Sequence, residues 1–275
     1  MAEASDILLE IAEKTRQRIE KQKEISTLEE VRSQAEKIRA EELSGKAKVP
    51  ADRTFLEALE LPGISYICEV KKASPSKGVI AEDFPYLEIA AGYEAAGASA
   101  ISCLTEPFYF KGSDRYLAEI ASAVDIPVLR KDFTVDEYMI YEAKTLGASA
   151  VLLICSLLDD EQLREYIDIA QSLGLDALVE AHDGDEVLAA VDAGAKIIGV
   201  NNRDLRDFTV DMNNSIRLRR MAPADTVFVS ESGIKTAEDI KKLRDNNVDA
   251  VLIGETLMRS SDKKAAMQQL NGGLL

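Results

Sequence analysis

The sequence predicts a (β/α)8 TIM barrel, an α/β fold in which eight parallel strands alternate with helices, preceded by an N-terminal helical extension. Three observations favour this fold. The chain has 275 residues, and such a barrel needs roughly 250; short apolar runs alternate with longer helical segments; and a glycine pattern recurs before several runs. We expect a single domain over residues 1–275, with the extension over 1–60 and the barrel over 64–275.

The extension has the residue pattern of helices. Its apolar residues recur at steps of three and four, on one face of a helix, at Leu28, Val31, Ala35 and Ile38. Two overlapping pairs at the start of this helix, Ser26 with Glu29 and Thr27 with Glu30, have the spacing of a capping box. A second, short helix is predicted over residues 54–59.

The chain beyond residue 63 contains eight apolar runs, each long enough for a strand and too short for a typical helix. They are Ile64–Val70, Ala100–Leu104, Val128–Arg130, Ala150–Ile154, Ala177–Val179, Ile197–Val200, Val227–Val229 and Ala250–Ile253. The segments between them have a helical composition, and strict alternation of strand and helix indicates a parallel sheet. Closure into a barrel is the favoured form, and an open doubly wound sheet is the alternative.

Glycine recurs just before three of these runs, within the segments 96–100, 146–150 and 193–196. A glycine that ends a helix and turns the chain into the next strand accounts for this pattern. No GxGxxG pattern follows the first run, so a dinucleotide-binding Rossmann fold has little support.

Composition excludes several classes of protein. The formal net charge of −16 disfavours non-specific binding of nucleic acid. No apolar run approaches the roughly 20 residues of a membrane span, and the acidic, amphipathic start is not typical of a secretory signal. Cys68, Cys103 and Cys155 lie in apolar runs without CxxC spacing, so we expect reduced thiols, no zinc site and a cytoplasmic protein.

Polar side chains end or follow most of the predicted strands. They are Glu69, Lys71, Lys131, Asp132, Glu180, Asn201, Arg203, Glu231, Ser232 and Glu255. Any one of them alone is most simply explained as a solvated side chain at the end of a strand. Together they point to one rim, where barrels of this class hold their active sites, and so they predict a concave catalytic site.

Glycines after the seventh and eighth predicted strands, Gly233 and Gly254, suggest a phosphate site. Glycine lets the backbone approach an anion, and many barrels bind phosphate in these two loops. Ordinary turn glycines are the alternative.

Several stretches of the chain resemble indole-3-glycerol phosphate synthases. They are residues 69–78, 104–106, 109–113, 129–133, 178–180, 199–205, 230–234 and 252–254. The most specific are Lys-x-Ser-Pro-Ser within the first and Arg-Lys-Asp-Phe within the fourth. The stretches occur in the order found in that family, from Ile64 to the end of the chain, and the helical extension matches as well.

The resemblance implies a reaction of tryptophan biosynthesis. The substrate would be 1-(2-carboxyphenylamino)-1-deoxyribulose 5-phosphate. The aromatic carbon that bears the carboxylate attacks the ketone, carbon dioxide leaves, and dehydration yields indole-3-glycerol phosphate. The resemblance implies neither a cofactor nor a metal, and the partner would be the small anionic substrate alone.

The resemblance also implies roles for the charged residues. Lys131 is expected to be the general acid, because attack on the ketone develops negative charge that an ammonium group both stabilises and protonates. Glu180 is the expected base for the anilinic proton during dehydration. Lys71 would hold the carboxylate or phosphate, or act as the second acid, and this division stays open. Glu69 and Glu231 are expected to keep the lysines charged.

The remaining predicted site residues bind the substrate. They are Ser74, Asn201, Arg203 and Ser232 for its oxygens, Phe110 and Phe133 for the anthranilate ring, and the backbone at Gly233 and Gly254 for the phosphate. A carboxylate would repel phosphate, so we expect the side chain of Glu255 to point away and only its N–H to donate.

His182, the only histidine, lies two residues beyond Glu180. We interpret it as a rim residue that supports its loop rather than as an acid or base of the reaction.

Two other functions remain open at this point. One is a different enzyme on a phosphate-binding barrel, a sugar-phosphate isomerase or a Schiff-base aldolase that uses Lys71 or Lys131. The other is a non-catalytic barrel that binds a phosphate ligand. The full set of acid, base and lysines favours catalysis, since simple binding does not require it.

The extension before Pro50 is expected to fold over the catalytic face and help close the site. Removal of residues 1–47 would then raise KM while leaving the barrel folded. A monomer is expected, since no exposed apolar seam is evident in the sequence.

Overall fold

The computed structural model describes residues 6–47, 49–204 and 206–273. The two ends of the predicted domain and Leu205, which belongs to one of the family-like stretches, lie outside the described residues.

Eight parallel strands close into a barrel in which each strand pairs with its neighbours in the chain and the first pairs with the last. They are β1 (Ser65–Val70), β2 (Ala100–Leu104), β3 (Val128–Lys131), β4 (Ala150–Ile154), β5 (Asp176–Ala181), β6 (Ile197–Asn201), β7 (Val227–Glu231) and β8 (Ala250–Ile253). The predicted (β/α)8 barrel is confirmed, and the open sheet is excluded.

Twelve α-helices accompany the strands within the described residues. They are α1 (Asp6–Lys23), α2 (Leu28–Leu43), α3 (Phe55–Leu59), α4 (Tyr86–Ala95), α5 (Asp114–Ala123), α6 (Tyr138–Thr145), α7 (Asp160–Ser172), α8 (Gly184–Asp192), α9 (Asn213–Arg219), α10 (Ala237–Arg244), α11 (Glu255–Met258) and α12 (Lys263–Leu270). Of the two candidate capping boxes, Thr27 with Glu30 starts α2. No described helix is both long and apolar enough to cross a membrane.

The hydrophobic core has two parts. The larger fills the space between strands and helices, and a smaller one fills the barrel interior with branched side chains such as Leu129, Leu178 and Val229. Phe55 and Leu59 of α3 pack against the interior cluster, and so does Leu8 of α1. The three cysteines, all within described segments, are buried and unpaired.

Ion pairs hold the extension against the barrel. Nη2 of Arg18 on α1 lies 2.8 Å from Oδ2 of Asp132, the residue that follows β3. Helix α2 is fixed by a buried pair in which Nζ of Lys144 donates to both carboxylate oxygens of Glu42 at 2.7 Å. Because Asp132 adjoins Lys131 at the carboxyl end of β3, helix α1 lies over the face of the barrel where the predicted site residues are.

The Arg18–Asp132 pair tests whether the extension closes the site. Asp132 is fully buried, and loss of its partner on α1 weakens the docking of that helix. We expect Arg18→Met to raise KM several-fold with a smaller change in kcat, as measured by steady-state kinetics. Arg16→Met is the matched control, since Arg16 is an exposed residue of the same helix. Equal KM values for the two variants would contradict a closing role.

Candidate active site

A cavity of about 790 Å³ opens at the carboxyl ends of the strands. Its lining includes every residue predicted for the site, namely Glu69, Lys71, Ser74, Phe110, Lys131, Phe133, Glu180, Asn201, Arg203, Glu231, Ser232, Gly233, Gly254 and Glu255. Helix α1 contributes Ile7, Leu8 and Ile11 to the same wall. The extension therefore forms part of the site, as expected from the sequence.

Lys131, the last residue of β3, lies between two carboxylates. Its Nζ atom is 3.0 Å from Oε2 of Glu180 and 3.5 Å from Oε2 of Glu231. Burial alone would lower the pKa of Lys131, but the charges of Glu180, Glu231 and Glu69 outweigh it and hold the pKa well above its ordinary value. Lys131 is therefore a charged ammonium at neutral pH.

Glu180 is buried near the end of β5 and has cations or donors on both carboxylate oxygens. Oε2 accepts a hydrogen bond from Lys131, and Oε1 accepts one from Nδ2 of Asn201 at 3.2 Å. Nε2 of His182 lies 3.4 Å from the same Oε1. Burial favours the neutral acid, but Lys131 and His182 outweigh it and hold the pKa of Glu180 well below its usual range.

Glu231 is only partly compensated for its burial. Its Oε1 atom is buried and has no hydrogen-bond partner among the described residues. Burial raises the pKa of this group to about 7, against the charge of Lys131, and the nearby Glu180 and Glu69 carboxylates add to the increase. Glu231 is thus poised between its neutral and ionised forms near neutral pH.

Two glycines make room for this cluster. A Cβ atom on Gly199 would collide with Oε1 of Glu231, and one on Gly254 would lie 2.9 Å from Nζ of Lys71. Lys71 is in turn hydrogen-bonded to Glu69. Gly254 was predicted only as a phosphate contact. The packing adds that a larger residue at this position would displace Lys71. No role was predicted for Gly199.

The rim beside β7 and β8 is rich in positive charge. Besides Arg203, the cavity is lined there by Lys235 and Arg259, and Lys77 lines it from the loop after β1. No role was predicted for these three residues. Nε of Arg259 lies 3.1 Å from Oε1 of Glu255. Glu255 thus has a cationic partner of its own, consistent with a carboxylate that does not face a bound phosphate.

The backbone at Ser232 and Gly233 adopts an unusual conformation. Both residues have left-handed φ values, 67° and 88° respectively. Serine seldom adopts this conformation, and such strain is concentrated at ligand sites.

On the opposite side of the cavity, Phe110 and Phe133 form an aromatic wall with ring centroids 5.9 Å apart.

Known proteins resemble this chain over most of its length. The family model described as indole-3-glycerol phosphate synthase matches residues 8–270. The chain belongs to this family. Among its relatives, the indole-3-glycerol phosphate synthase of Ruminiclostridium cellulolyticum is 54% identical over 97% of this chain and 99% of its own length. That of Endomicrobium trichonymphae is 58% identical over 79% of this chain and 84% of its own length.

Solved structures support the barrel fold at lower identity. A 3-hexulose-6-phosphate synthase superposes with a TM-score of 0.63 at 18% identity, covering 77% of this chain and 100% of its own. A thiamine phosphate pyrophosphorylase from Pyrococcus furiosus gives a TM-score of 0.55 at 17% identity, covering 76% and 94% of the two chains. At such identities the likeness concerns the fold alone.

In this indole-3-glycerol phosphate synthase family member, Glu231 couples stability to pH. Its folded pKa of about 7 exceeds the ordinary value of about 4.3, so the folded protein holds a proton that the unfolded chain releases. The stability that this proton contributes is complete below the unfolded pKa and is lost as the pH rises through about 7.

Glu231→Gln mimics the protonated side chain and removes this loss. We expect its free energy of unfolding to exceed that of the parent by on the order of 2 kcal/mol at pH 8, with little gain at pH 5. Urea unfolding at both pH values measures the difference, and Glu165→Gln is the exposed control. A gain of equal size at the two pH values would contradict the assignment.

Proposed function

We propose that this chain performs the reaction of its family with Lys131 as general acid and Glu180 as general base. The activity is that of an indole-3-glycerol phosphate synthase, a carboxy-lyase of tryptophan biosynthesis. Its substrate is 1-(2-carboxyphenylamino)-1-deoxyribulose 5-phosphate. The observation that carries the assignment is the ammonium group of Lys131, held at the cavity wall between Glu180 and Glu231.

The first stage joins the carboxylate-bearing ring carbon to the ketone carbon. As that carbon–carbon bond forms, the carbonyl π electrons move to oxygen, which takes a proton from Lys131. Loss of carbon dioxide then returns an electron pair to the ring. An ammonium held by carboxylates in a partly closed cavity is a preorganised donor for the developing charge.

The second stage removes water. Glu180 accepts the proton of the anilinic nitrogen, and the released electron pair moves through the ring and expels the former ketone oxygen, now a hydroxyl, which leaves as water with a proton from an ammonium group. A proton then moves from the adjacent CH2 carbon to the nitrogen and completes the indole. In the resting site Glu180 is paired with Lys131, which makes it a weak base. When Lys131 turns to the substrate oxygen, Glu180 loses its principal counter-charge, its pKa rises, and its ability to accept a proton increases.

Lys71 is the second cation of the proposed site. Its contact with Glu69 fixes the side chain at the end of β1, on the cavity wall. We assign to it the binding of an acidic group of the substrate, and it supplies a second ammonium for the departing hydroxide. Steady-state analysis separates these roles, because a binding group changes KM and an acid changes kcat.

The remaining residues orient the two ends of the substrate. Phe110 and Phe133 would flank the anthranilate ring, while the basic rim and the backbone at Gly233 and Gly254 would receive the phosphate. Hydrogen bonds to the intervening oxygens are assigned to Ser74, Asn201, Arg203 and Ser232. We further propose a cytoplasmic monomer that binds neither nucleic acid nor membranes; the net charge of −16 disfavours the binding of nucleic acid.

A Schiff-base aldolase is disfavoured by the electrostatics of Lys131. Imine formation requires a neutral amine, and the surrounding carboxylates raise the pKa of Lys131. We expect no covalent adduct when the protein is treated with borohydride in the presence of a keto-sugar phosphate. A mass increase on Lys131 or Lys71, detected by peptide mass spectrometry, would favour the aldolase.

Lys131→Ala tests the general acid. We expect a loss of roughly a hundredfold or more in kcat, the effect of removing a positioned acid, measured by the fluorescence of the indole product. Thermal unfolding shows whether the variant keeps its fold, and Lys242→Ala on α10 is the control. Unimpaired turnover in a folded Lys131→Ala variant, or no product from the parent protein, would contradict the proposed function.

A further inference from the structure

The single histidine of the chain lies between two buried carboxylates. His182 follows β5 directly. Its Nδ1 atom lies 3.1 Å from Oε2 of Glu186 on α8, and its Nε2 atom lies 3.4 Å from Oε1 of Glu180. Both carboxylate side chains are almost completely buried, with exposures of 1% for Glu186 and 3% for Glu180.

The imidazole ring is held by its loop. The carboxylate of Glu186 also accepts a hydrogen bond from the backbone N–H of His182 at 2.7 Å. Asp183 caps α8 by accepting from the backbone N–H of Glu186, and Nδ2 of Asn214 donates to the carbonyl of His182 at 3.1 Å. A capping function explains the backbone contact of Glu186, but it does not explain why the ring is aimed at Glu180.

The two buried carboxylates also favour one protonation state of the ring. A neutral imidazole has one donor and one acceptor nitrogen, so it would turn an acceptor toward one of the two carboxylates. The Nδ1 atom is within hydrogen-bond distance of Glu186, whereas Nε2 has no hydrogen-bond partner among the described residues and faces Glu180 at an ion-pair distance of 3.4 Å. Burial alone would lower the pKa of His182, but its contacts with Glu180 and Glu186 raise it to about 10.

The other ionisable groups around His182 are compatible with this state. Asp204, beyond β6, is a third carboxylate that interacts with the ring. Lys131 occupies the opposite oxygen of Glu180. Cys155, after β4, contacts the backbone oxygen of Glu186, and burial raises the pKa of its thiol, so that it stays neutral.

We propose that His182 is a positioning residue for the reaction. Held by Glu186, it places a positive charge 3.4 Å from Oε1 of Glu180 and keeps that carboxylate ionised and in place while Lys131 is engaged with the substrate. The inference rests on the proposed role of Glu180 as the base. It goes beyond the sequence interpretation of His182, which was a rim residue that supports its loop.

The physical need for such a residue follows from the proton transfers. Once Lys131 leaves Glu180, the carboxylate would retain only the neutral amide of Asn201. A buried carboxylate without a cation becomes protonated or swings away. His182 prevents both, because its position does not depend on the substrate.

The protonation state can be read directly, since the chain contains one histidine. In untagged protein labelled with ¹⁵N-histidine, we expect both ring nitrogens to remain protonated from pH 6 to 9. Glu186→Gln should lower the pKa of the imidazole, and so should Glu180→Gln. Titration in the parent protein near the ordinary value of about 6.5 would overturn the proposal.

The pH dependence of kcat tests the functional part. An opposite charge within about 4 Å lowers the pKa of a carboxyl group by about one unit or more. In His182→Asn we therefore expect the acid limb of kcat, the pH range in which kcat declines with falling pH, to move upward by about one pH unit or more. Below that limb kcat should be about tenfold lower than in the parent protein, with little change in KM. His182→Gln places a neutral amide N–H near the position of Nε2, which the shorter Asn side chain does not reach, so it should retain more activity and show the same upward movement.

Asn214→Ala is the control, because it removes a backbone contact of His182 and leaves the ring in place. It should keep the pH profile of the parent. An unmoved acid limb in a folded His182→Asn variant, with Glu180→Gln inactive, would overturn this inference alone. Full activity in Glu180→Gln would overturn the proposed base itself.

Discussion

The active site depends on a buried cluster in which Lys131 is held by Glu180 and Glu231 at the mouth of the barrel. Any one of these charges alone would be costly to bury, and only the assembled set is tolerable. The three residues belong to β3, β5 and β7, so closure of the barrel is what brings them together. Gly199 provides the space in which Glu231 fits. Fold and electrostatics are thus inseparable at this site.

The negative charges of the cluster are not completely neutralised, and the proposed acid–base chemistry depends on this imbalance. A carboxylate fully satisfied by fixed cations could not become a base, and a lysine without carboxylates would lose its proton on burial. Glu231, with a pKa of about 7, reduces the excess negative charge by taking up a proton. Helix α1 covers the cavity and reduces the access of water, which strengthens each of these interactions. We therefore expect the extension to contribute to the chemistry as well as to packing.

The sequence predicted the barrel, its eight strands and the rim where the polar residues gather, because these follow from periodicity along the chain. The strand bounds were wrong mainly at the carboxyl ends: β3, β5, β6 and β7 continue beyond their apolar runs. The added residues include Lys131, Glu180, Asn201 and Glu231, whose polarity conceals their strand conformation. Pairings such as Lys131 with Glu180 or Arg18 with Asp132 join distant segments, and no local pattern encodes them. The basic residues Lys77, Lys235 and Arg259 were missed for the same reason.

Glu180 has two cations that differ in freedom. The ammonium group of Lys131 is at the end of a long, flexible side chain and can move to the substrate. The ring of His182 is fixed by Glu186 and its loop. A base with a mobile counter-charge and a fixed one remains ionised until it accepts a proton, and its basicity rises only when the mobile partner is engaged. In the proposed mechanism, substrate binding would thereby activate Glu180 through the same lysine to which the first proton transfer is assigned. This coupling would place the proposed acid and base steps in order without a separate switch.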